Sequence, residues 1–279
     1  YGRGNSHVWE QLVLPLFFIG KKDYVLCSFT GLGTILVGRK IMTIHDLSFL
    51  ENPKWFSRGY YMWYKVMTPL AARTSRHILT VSQFSKGEIH RFYPFLSRDK
   101  VSVVYSAVDT NRFKPNAGAA GSGETFALTV SSLDPRKNFA RLVEAFKGVR
   151  DCKLYIVGNA NRVFGSQSAL DEGNPNIRLL GRVSDEELVN LYQRAACFIF
   201  PSVYEGFGLP PLEAMACGCA LATTNFQGAL EYATNNMNAL MSPVQDPEAL
   251  FENICKLFDD DALRNSIVNQ AIQKAKERS

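Results

Sequence analysis

Two carboxylates stand where an apolar run meets a run of small residues. Glu205 and Glu213 are separated by seven residues in YEGFGLPPLEAMACG (204–218), with ACFIFP just before them. A carboxylate cannot bind phosphate, but it accepts hydrogen bonds from hydroxyls well. Between the two acids lie Gly206, Phe207, Gly208 and Leu209, whose glycines let backbone approach a ligand closely. The N–H groups of this turn would face an anion or sugar hydroxyls. Pro210 and Pro211 suit the first turn of a helix, where a missing N–H costs little. Glu213, four residues beyond Leu209, falls on the same side of that turn.

A second cluster is LDPRKN (133–138), between an expected strand and an expected helix. Asn138 is a natural N-cap. Arg136 and Lys137 precede the helix N-terminus, where the helix dipole disfavours cations. Their placement makes sense if an anion sits among them and the helix N–H groups. Singly, each feature has a plainer reading: solvated loop cations, or an acid near a helix N-terminus. Together, two carboxylates beside an anion-binding turn point to a polyhydroxyl ligand attached to phosphate, which is a nucleotide sugar. His45 closes the apolar run RKIMTIHD; a histidine at a strand end is commonly structural, and His7, His77 and His90 are read that way.

Other chemistries lack their residues. No G-x-G-x-x-G follows a strand, no G-x-x-x-x-G-K-[ST] occurs, and GLG at 31–33 lacks a third glycine. Six cysteines without C-x-x-C read as free thiols in a reducing compartment, and four scattered histidines give no zinc spacing. The apolar run LVLPLFFIG (12–20) contains Pro15 and falls far short of the ~20 residues of a membrane span. The start, YGRGNSHVWE, is unlike a secretory signal and lacks an initiating Met, which suggests a fragment.

The elements that must position these residues alternate. After the seam NRFKPNAGAAGSGET (111–125), strands are expected at 125–132, 153–158, 176–181, 196–202 and 220–224, with helices at 138–149, 184–195 and 246–258. Ser184 and Glu187 form a capping box. ACFIFPS is apolar on both faces, as in parallel sheets covered by helices. The first part alternates as well, with strands in KDYVLC, RKIMTIHD, HILTVS and VSVVYS, helices over 57–75 and SQFSKGEIHRFY, and an opening helix HVWEQLVLPLFF. The expected class is therefore α/β with two Rossmann-like doubly wound domains, the first incomplete: residues 1–112, a linker at 113–124, and residues 125–279. Such a pair places a ligand cleft between the C-terminal edges of both sheets. Residues 1–115 carry 16 Lys and Arg against 7 Asp and Glu, while 116–279 carry 15 against 19. The basic half suits an anionic membrane or acidic substrate. It shows no basic–aromatic single-strand motif or duplex-reading module, which disfavours nucleic acid.

EGFGLPPLEAMACG resembles the two-glutamate signature of retaining glycosyltransferases of family 4. SLDPRKN is similar to the loop before the first helix of their donor domain. IHDLSFLENPKWFS, LTVSQFSKGEI and VYSAVDTNRFKP resemble their acceptor domain, most of all in mannosyltransferases of bacterial polysaccharide assembly. The resemblance runs over nearly all the chain, in order, and implies a GT-B architecture without a metal. It implies that Arg136 and Lys137 hold the diphosphate, Glu213 the ribose hydroxyls, and Glu205 with the Gly206–Leu209 backbone the donor sugar. His45 would then lie near the transferred sugar, and GRVSDEEL (181–188), with Arg182 and Val183, beside the base. The chain departs in having Ser131-Ser132 where many relatives have Gly-Arg, so that Arg136 would take over that arginine's role. Ser106-Ala107 replaces the usual Asn-Gly, and the N-terminal strand, its glycine loop and a final crossing helix are expected to be missing.

The resulting expectation is a cytoplasmic, metal-independent retaining hexosyltransferase with a peripheral place at the cytoplasmic membrane face. It would use a GDP- or UDP-sugar, with mannose the best guess for the sugar, and a saccharide or lipid-linked saccharide acceptor. Its alternatives are a non-catalytic nucleotide-sugar binding protein or inactive fragment and, less favoured, a sugar-nucleotide epimerase, which would need acid and base carboxylates on both sides of the cleft.

Overall fold

The computed structural model describes residues 6–116, 125–130, 134–146, 152–158 and 176–279. Two compact units divide between Tyr105 and Ser106. The segment that follows this division is bonded to the second unit. Val108 N–H donates to the Arg278 carbonyl, Arg112 pairs with Asp185 at 2.6 Å, and the Lys114 carbonyl accepts from Gln193. Most of the expected linker, 117–124, lies outside the described residues.

In the first unit, β1 (Leu26–Ser28), β2 (Lys40–Thr43), β3 (His77–Thr80) and β4 (Val101–Val103) form a parallel sheet in that order. Helix α1 (Arg58–Thr74) starts at Ser57, whose hydroxyl accepts from Tyr60 N–H, and α2 (Gln83–Phe92) starts at Ser82 in the same way. Met42, Ile78 and Val101 of the strands pack with Leu47, Ala72 and Ile89 into one core. The opening segment is helical but not the regular helix expected. A short α turn (Ser6–Val8) is followed by a π turn (Trp9–Val13) and a 3-10 turn (Leu14–Phe18). Pro15 has no N–H to donate and sits in the first turn of the last piece, where none is required.

Among the described residues the second unit holds six parallel strands: β5 (Phe126–Val130), β6 (Lys153–Val157), β7 (Ile177–Gly181), β8 (Cys197–Phe200), β9 (Ala220–Thr224) and β10 (Leu240–Ser242). Their order is β10-β9-β8-β5-β6-β7. Every residue of β8 and β9 is buried, as a central parallel strand requires. The helices described in it are α3 (Phe139–Phe146), α4 (Asp185–Arg194), α5 (Leu209–Ala216), α6 (Pro247–Asp259) and α7 (Asp261–Lys276). Leu250, Ile254 and Leu257 carry α6 into the core with Phe139, Leu142 and Phe146 of α3. Helix α7, absent from the sequence reading, packs on α5 and β9 through Ile267, Ala271 and Ala275, a narrow stripe of mostly small residues. All six cysteines are free.

The order of this sheet decides where a ligand can sit. The chain lays β6 and β7 to one side of β5, then returns to lay β8, β9 and β10 on the other. Loops leaving β5 and β8 therefore diverge from adjacent strands, and open α/β sheets bind ligands in that crevice.

Candidate active site

The two loops that leave this switch point carry the cations and the first carboxylate. After β5, Asp134 caps a short 3-10 turn, Pro135–Lys137, by accepting from Arg136 N–H. Asn138 then takes a left-handed conformation (φ 60°), its side-chain amide donates to the Val244 carbonyl, and its own carbonyl accepts from Leu142 N–H in the first turn of α3. After β8, the loop 201–208 is tied to the first by a hydrogen bond from Val203 N–H to the Arg136 carbonyl, 2.8 Å.

Across this junction Glu205 meets both cations. Arg136 Nη1 lies 3.1 Å from Glu205 Oε2, and Lys137 Nζ pairs with Oε1. Ser202 Oγ donates to the same Oε1 at 3.2 Å, and Arg136 Nε is 3.5 Å from Asp134 Oδ2. The Glu205 side chain is 10% exposed, so the attraction is little screened by water. Lys137 Nζ also sits 5.4 Å from the centre of the Phe200 ring. Two cations thus share carboxylate partners beside the turn that follows Glu205, a group that an arriving diphosphate can engage.

The turn itself is set by close packing. Gly208 has φ 91°, and a Cβ there would lie 3.0 Å from Tyr232 Oη and 3.3 Å from the Phe200 and Phe226 rings. Only glycine accepts both the angle and the space. Gly208 leads directly into α5, with Pro210 and Pro211 in its first turn. Glu213 follows, half-buried, and its Oε2 accepts from Tyr192 Oη at 3.1 Å. Burial raises the Glu213 pKa, with Tyr192 and Arg112 pulling the other way. Tyr192 is fully buried, and burial with the neighbouring Glu213 raises its own pKa well above the usual phenol range.

Residues 109–274 match the family described as glycosyl transferases group 1, and residues 23–112 match Glycosyltransferase Family 4. The chain belongs to the group 1 glycosyl transferases. It is similar to O-antigen chain mannosyltransferase B of Escherichia coli, 27% identical over 86% of this chain and 67% of that protein. It is similar also to O-antigen chain mannosyltransferase RfbU of Salmonella typhimurium, 26% identical over 94% of this chain and 76% of that one. Among solved structures, sucrose-phosphate synthase from Thermosynechococcus elongatus matches with a TM-score of 0.79 at 19% identity, over 95% of this chain and 72% of that chain. Anabaena HepE, solved with UDP-glucose, matches with a TM-score of 0.71 at 21% identity, over 86% and 68%. The fold is the GT-B type, built from two Rossmann-like α/β units.

In this group 1 glycosyl transferase the predicted residues fall into three places. Arg136, Lys137 and Glu205 form the cluster above. Arg182 and Val183, at the end of β7, line a cavity of about 350 Å³ with Lys137, Leu188 and Pro210. His45 lies in the first unit, beyond β2, where its Nε2 is 2.8 Å from the Phe29 carbonyl. A carbonyl only accepts, so Nε2 carries a proton and donates it. His45 lines a cavity of about 190 Å³ together with Asp46, Thr30, Tyr60 and Tyr64. The Phe207 ring is buried against Tyr232, 5.2 Å between centroids, so Phe207 offers a ligand only its backbone. Ser131 and Ser132 lie outside the described residues.

Sequence reading missed Ser202, Tyr192, Tyr232 and Gly228. A Cβ on Gly228 would sit 2.5 Å from the Glu205 carbonyl oxygen, so the loop after β9 presses directly on the Glu205-Gly206 backbone. The only signal for it was a glycine just past a strand. Among the described residues no group of three or more His, Cys, Asp or Glu is placed to hold a metal ion.

Proposed function

We propose that the protein transfers a hexose from a nucleoside diphosphate sugar to a hydroxyl of a saccharide or lipid-linked saccharide, with retention of configuration and without a metal. The observation that carries this reading is the Arg136–Lys137–Glu205 cluster at the switch point of the second sheet. Mannose is the sugar favoured by similarity to proteins named O-antigen chain mannosyltransferases, and GDP or UDP is the carrier. The cytoplasm, against the membrane that would carry a lipid-linked acceptor, is the proposed location.

Each residue has a part in this scheme. Arg136 and Lys137 turn from Glu205 toward the diphosphate and stabilise the negative charge that grows on it as the glycosidic bond breaks. The N–H groups of the Gly206–Leu209 turn add to that stabilisation. Glu205 is then free to accept hydrogen bonds from the donor sugar, and Glu213 from the ribose hydroxyls. Arg182, Val183, Leu188 and Pro210 wall the base. His45 serves the transferred sugar. Attack on the face that the diphosphate leaves preserves configuration, with the departing phosphate accepting the acceptor proton.

The deciding experiment incubates the chain with GDP- and UDP-hexoses and candidate saccharide acceptors, and measures nucleoside diphosphate release and product. Donor-dependent product, lost in Glu205→Ala, is the expected result. Absence of donor binding, with Glu213→Ala indistinguishable from wild type, rejects the reading. Donor binding without turnover assigns the chain to nucleotide-sugar binding alone.

A further inference from the structure

The two carboxylates of the site are held in different ways. Glu205 sits against two cations, whereas Glu213 takes its contact from a neutral group, the hydroxyl of Tyr192, 3.1 Å from Oε2. Tyr192 stands in the last turn of α4, which packs on α5, and it is fully buried. Its ring meets Phe198 of β8 edge-on at 5.3 Å and Phe113 at 6.2 Å between centroids. Close packing of that kind fixes the ring, so the hydroxyl it carries is a fixed donor. Among the described residues Glu213 Oε1 accepts no hydrogen bond. One oxygen of the carboxylate is therefore taken and the other is left over. Few titratable groups surround it besides Tyr192. Arg112, which pairs with Asp185 at 2.6 Å, attracts Glu213, and burial together with Glu213 holds the Cys217 thiol up at about 12, neutral at ordinary pH.

We infer that Tyr192 is a positioning residue for the nucleotide: its hydroxyl occupies Oε2 and so aims Oε1 of Glu213 at the paired hydroxyls of ribose. The inference rests on the proposed role of Glu213 and adds to it a residue that touches no ligand. A glutamate side chain has several free torsions, and ordering them as a ligand arrives weakens binding. A fixed donor orders the carboxylate beforehand. It also favours the charged form, against the burial that raises the Glu213 pKa, and the charged form accepts hydrogen bonds from hydroxyls more strongly. The consequence is selectivity for ribose. A site built to bond a hydroxyl rejects the analogue that lacks it, because its own polar group is then left unpaired.

The test is calorimetric titration of wild type, Y192F, E213Q and Y192F/E213Q with UDP, GDP and their dideoxy counterparts, which lack both ribose hydroxyls. Wild type is expected to favour the ribose form about tenfold. Phenylalanine keeps the ring packing and removes the donor, so Y192F should bind the ribose form about fivefold more weakly and the dideoxy form as wild type does. Because Tyr192 acts through Glu213, Y192F should add nothing to E213Q, and the double variant should stay within about twofold of E213Q alone. In transfer assays KM for the donor should rise in Y192F while kcat stays within about twofold. The acid limb of ribose-nucleotide binding should move to higher pH in Y192F, since a carboxylate that loses a hydrogen bond to its charged form takes up its proton sooner on acidification. A tyrosine that merely fills space would weaken the ribose and dideoxy forms alike and weaken E213Q further, with the acid limb unmoved. That pattern overturns the inference, as does a Y192F variant with affinity and acid limb both unchanged. Wild type that binds UDP or GDP without preferring ribose overturns it too and leaves the diphosphate reading of Arg136 and Lys137 standing. Wild type that binds neither nucleotide overturns the nucleotide-sugar reading itself, and this inference with it.

Discussion

Replacing Glu205 with glutamine keeps the side chain's size and removes the charge shared by Arg136 and Lys137. At about 4 Å and an effective dielectric near 20, each cation–carboxylate attraction is about 4 kcal/mol before desolvation is counted. Removing one partner of a buried pair leaves uncompensated charge and costs about 3–5 kcal/mol. The three side chains retain 10–20% exposure, and the amide oxygen can still accept from Ser202, so the lower end applies, about 3 kcal/mol. For a unit of this size that lowers the unfolding midpoint by about 6–12 °C. Binding should change in the opposite direction. The freed cations meet a diphosphate without competition, so nucleoside diphosphate affinity should rise about tenfold, or about 1.4 kcal/mol. Transfer should fall about a hundredfold or more, because the donor sugar loses its charged acceptor. Calorimetric titration with GDP and UDP at fixed salt, thermal unfolding with and without ligand, and product formation measure all three quantities. Weaker diphosphate binding with transfer intact would refute the argument that Glu205 holds the cations in reserve and serves the sugar.

Further outcomes follow for two ionisable groups, Glu213 and Lys40. Glu213→Gln should mainly weaken donor binding, about tenfold for a charged hydrogen bond to ribose exchanged for a neutral one, with a smaller effect on the transfer step. Because burial raises the Glu213 pKa, the folded state holds its proton above the pH at which the unfolded chain releases it. Stability therefore falls as pH rises from the ordinary glutamate range through the raised value. Glu213→Gln should flatten that slope in unfolding curves taken across the window, and an unaltered slope would count against the assignment. In the first unit, burial and the neighbouring Lys100 lower the pKa of Lys40 to about 8, although its Nζ is 2.6 Å from Thr74 Oγ1. The unfolded lysine keeps its proton to higher pH, so the cost of burying the charge is complete below about 8 and is relieved as pH rises toward the ordinary lysine value. Lys40→Met should stabilise this unit by about 1–3 kcal/mol at neutral pH and lose that advantage in alkali. Equal stability of variant and wild type at neutral pH would refute it.

Much of the fold was legible because alternating apolar runs encode faces locally. The limits of α1 followed from Ser57 and the pattern after it, and β8 from four consecutive apolar residues. Helix α7 was not legible, because Ile267, Ala271 and Ala275 present so narrow a stripe that periodicity is faint. The opening helix was read as regular because the sequence pattern does not reveal a π turn followed by a 3-10 turn.

At the site the sequence alone determined which chemical groups each loop could offer. Arg136 and Lys137 had to precede a helix, Gly208 had to turn the chain ahead of Pro210 and Pro211, and Glu213 had to ride the helix that follows. Tertiary structure decided which of these groups meet. Placing β8 beside β5 brings Glu205 onto Arg136 from 69 residues away, placing β9 beside β8 brings Gly228 against the Glu205 carbonyl, and packing of α4 on α5 brings Tyr192 onto Glu213 from 21 away. The apolar period of a strand states which face is buried but not which strand lies alongside. Strand order comes from the packing of the whole sheet, and with it the pairing of the charges in the crevice.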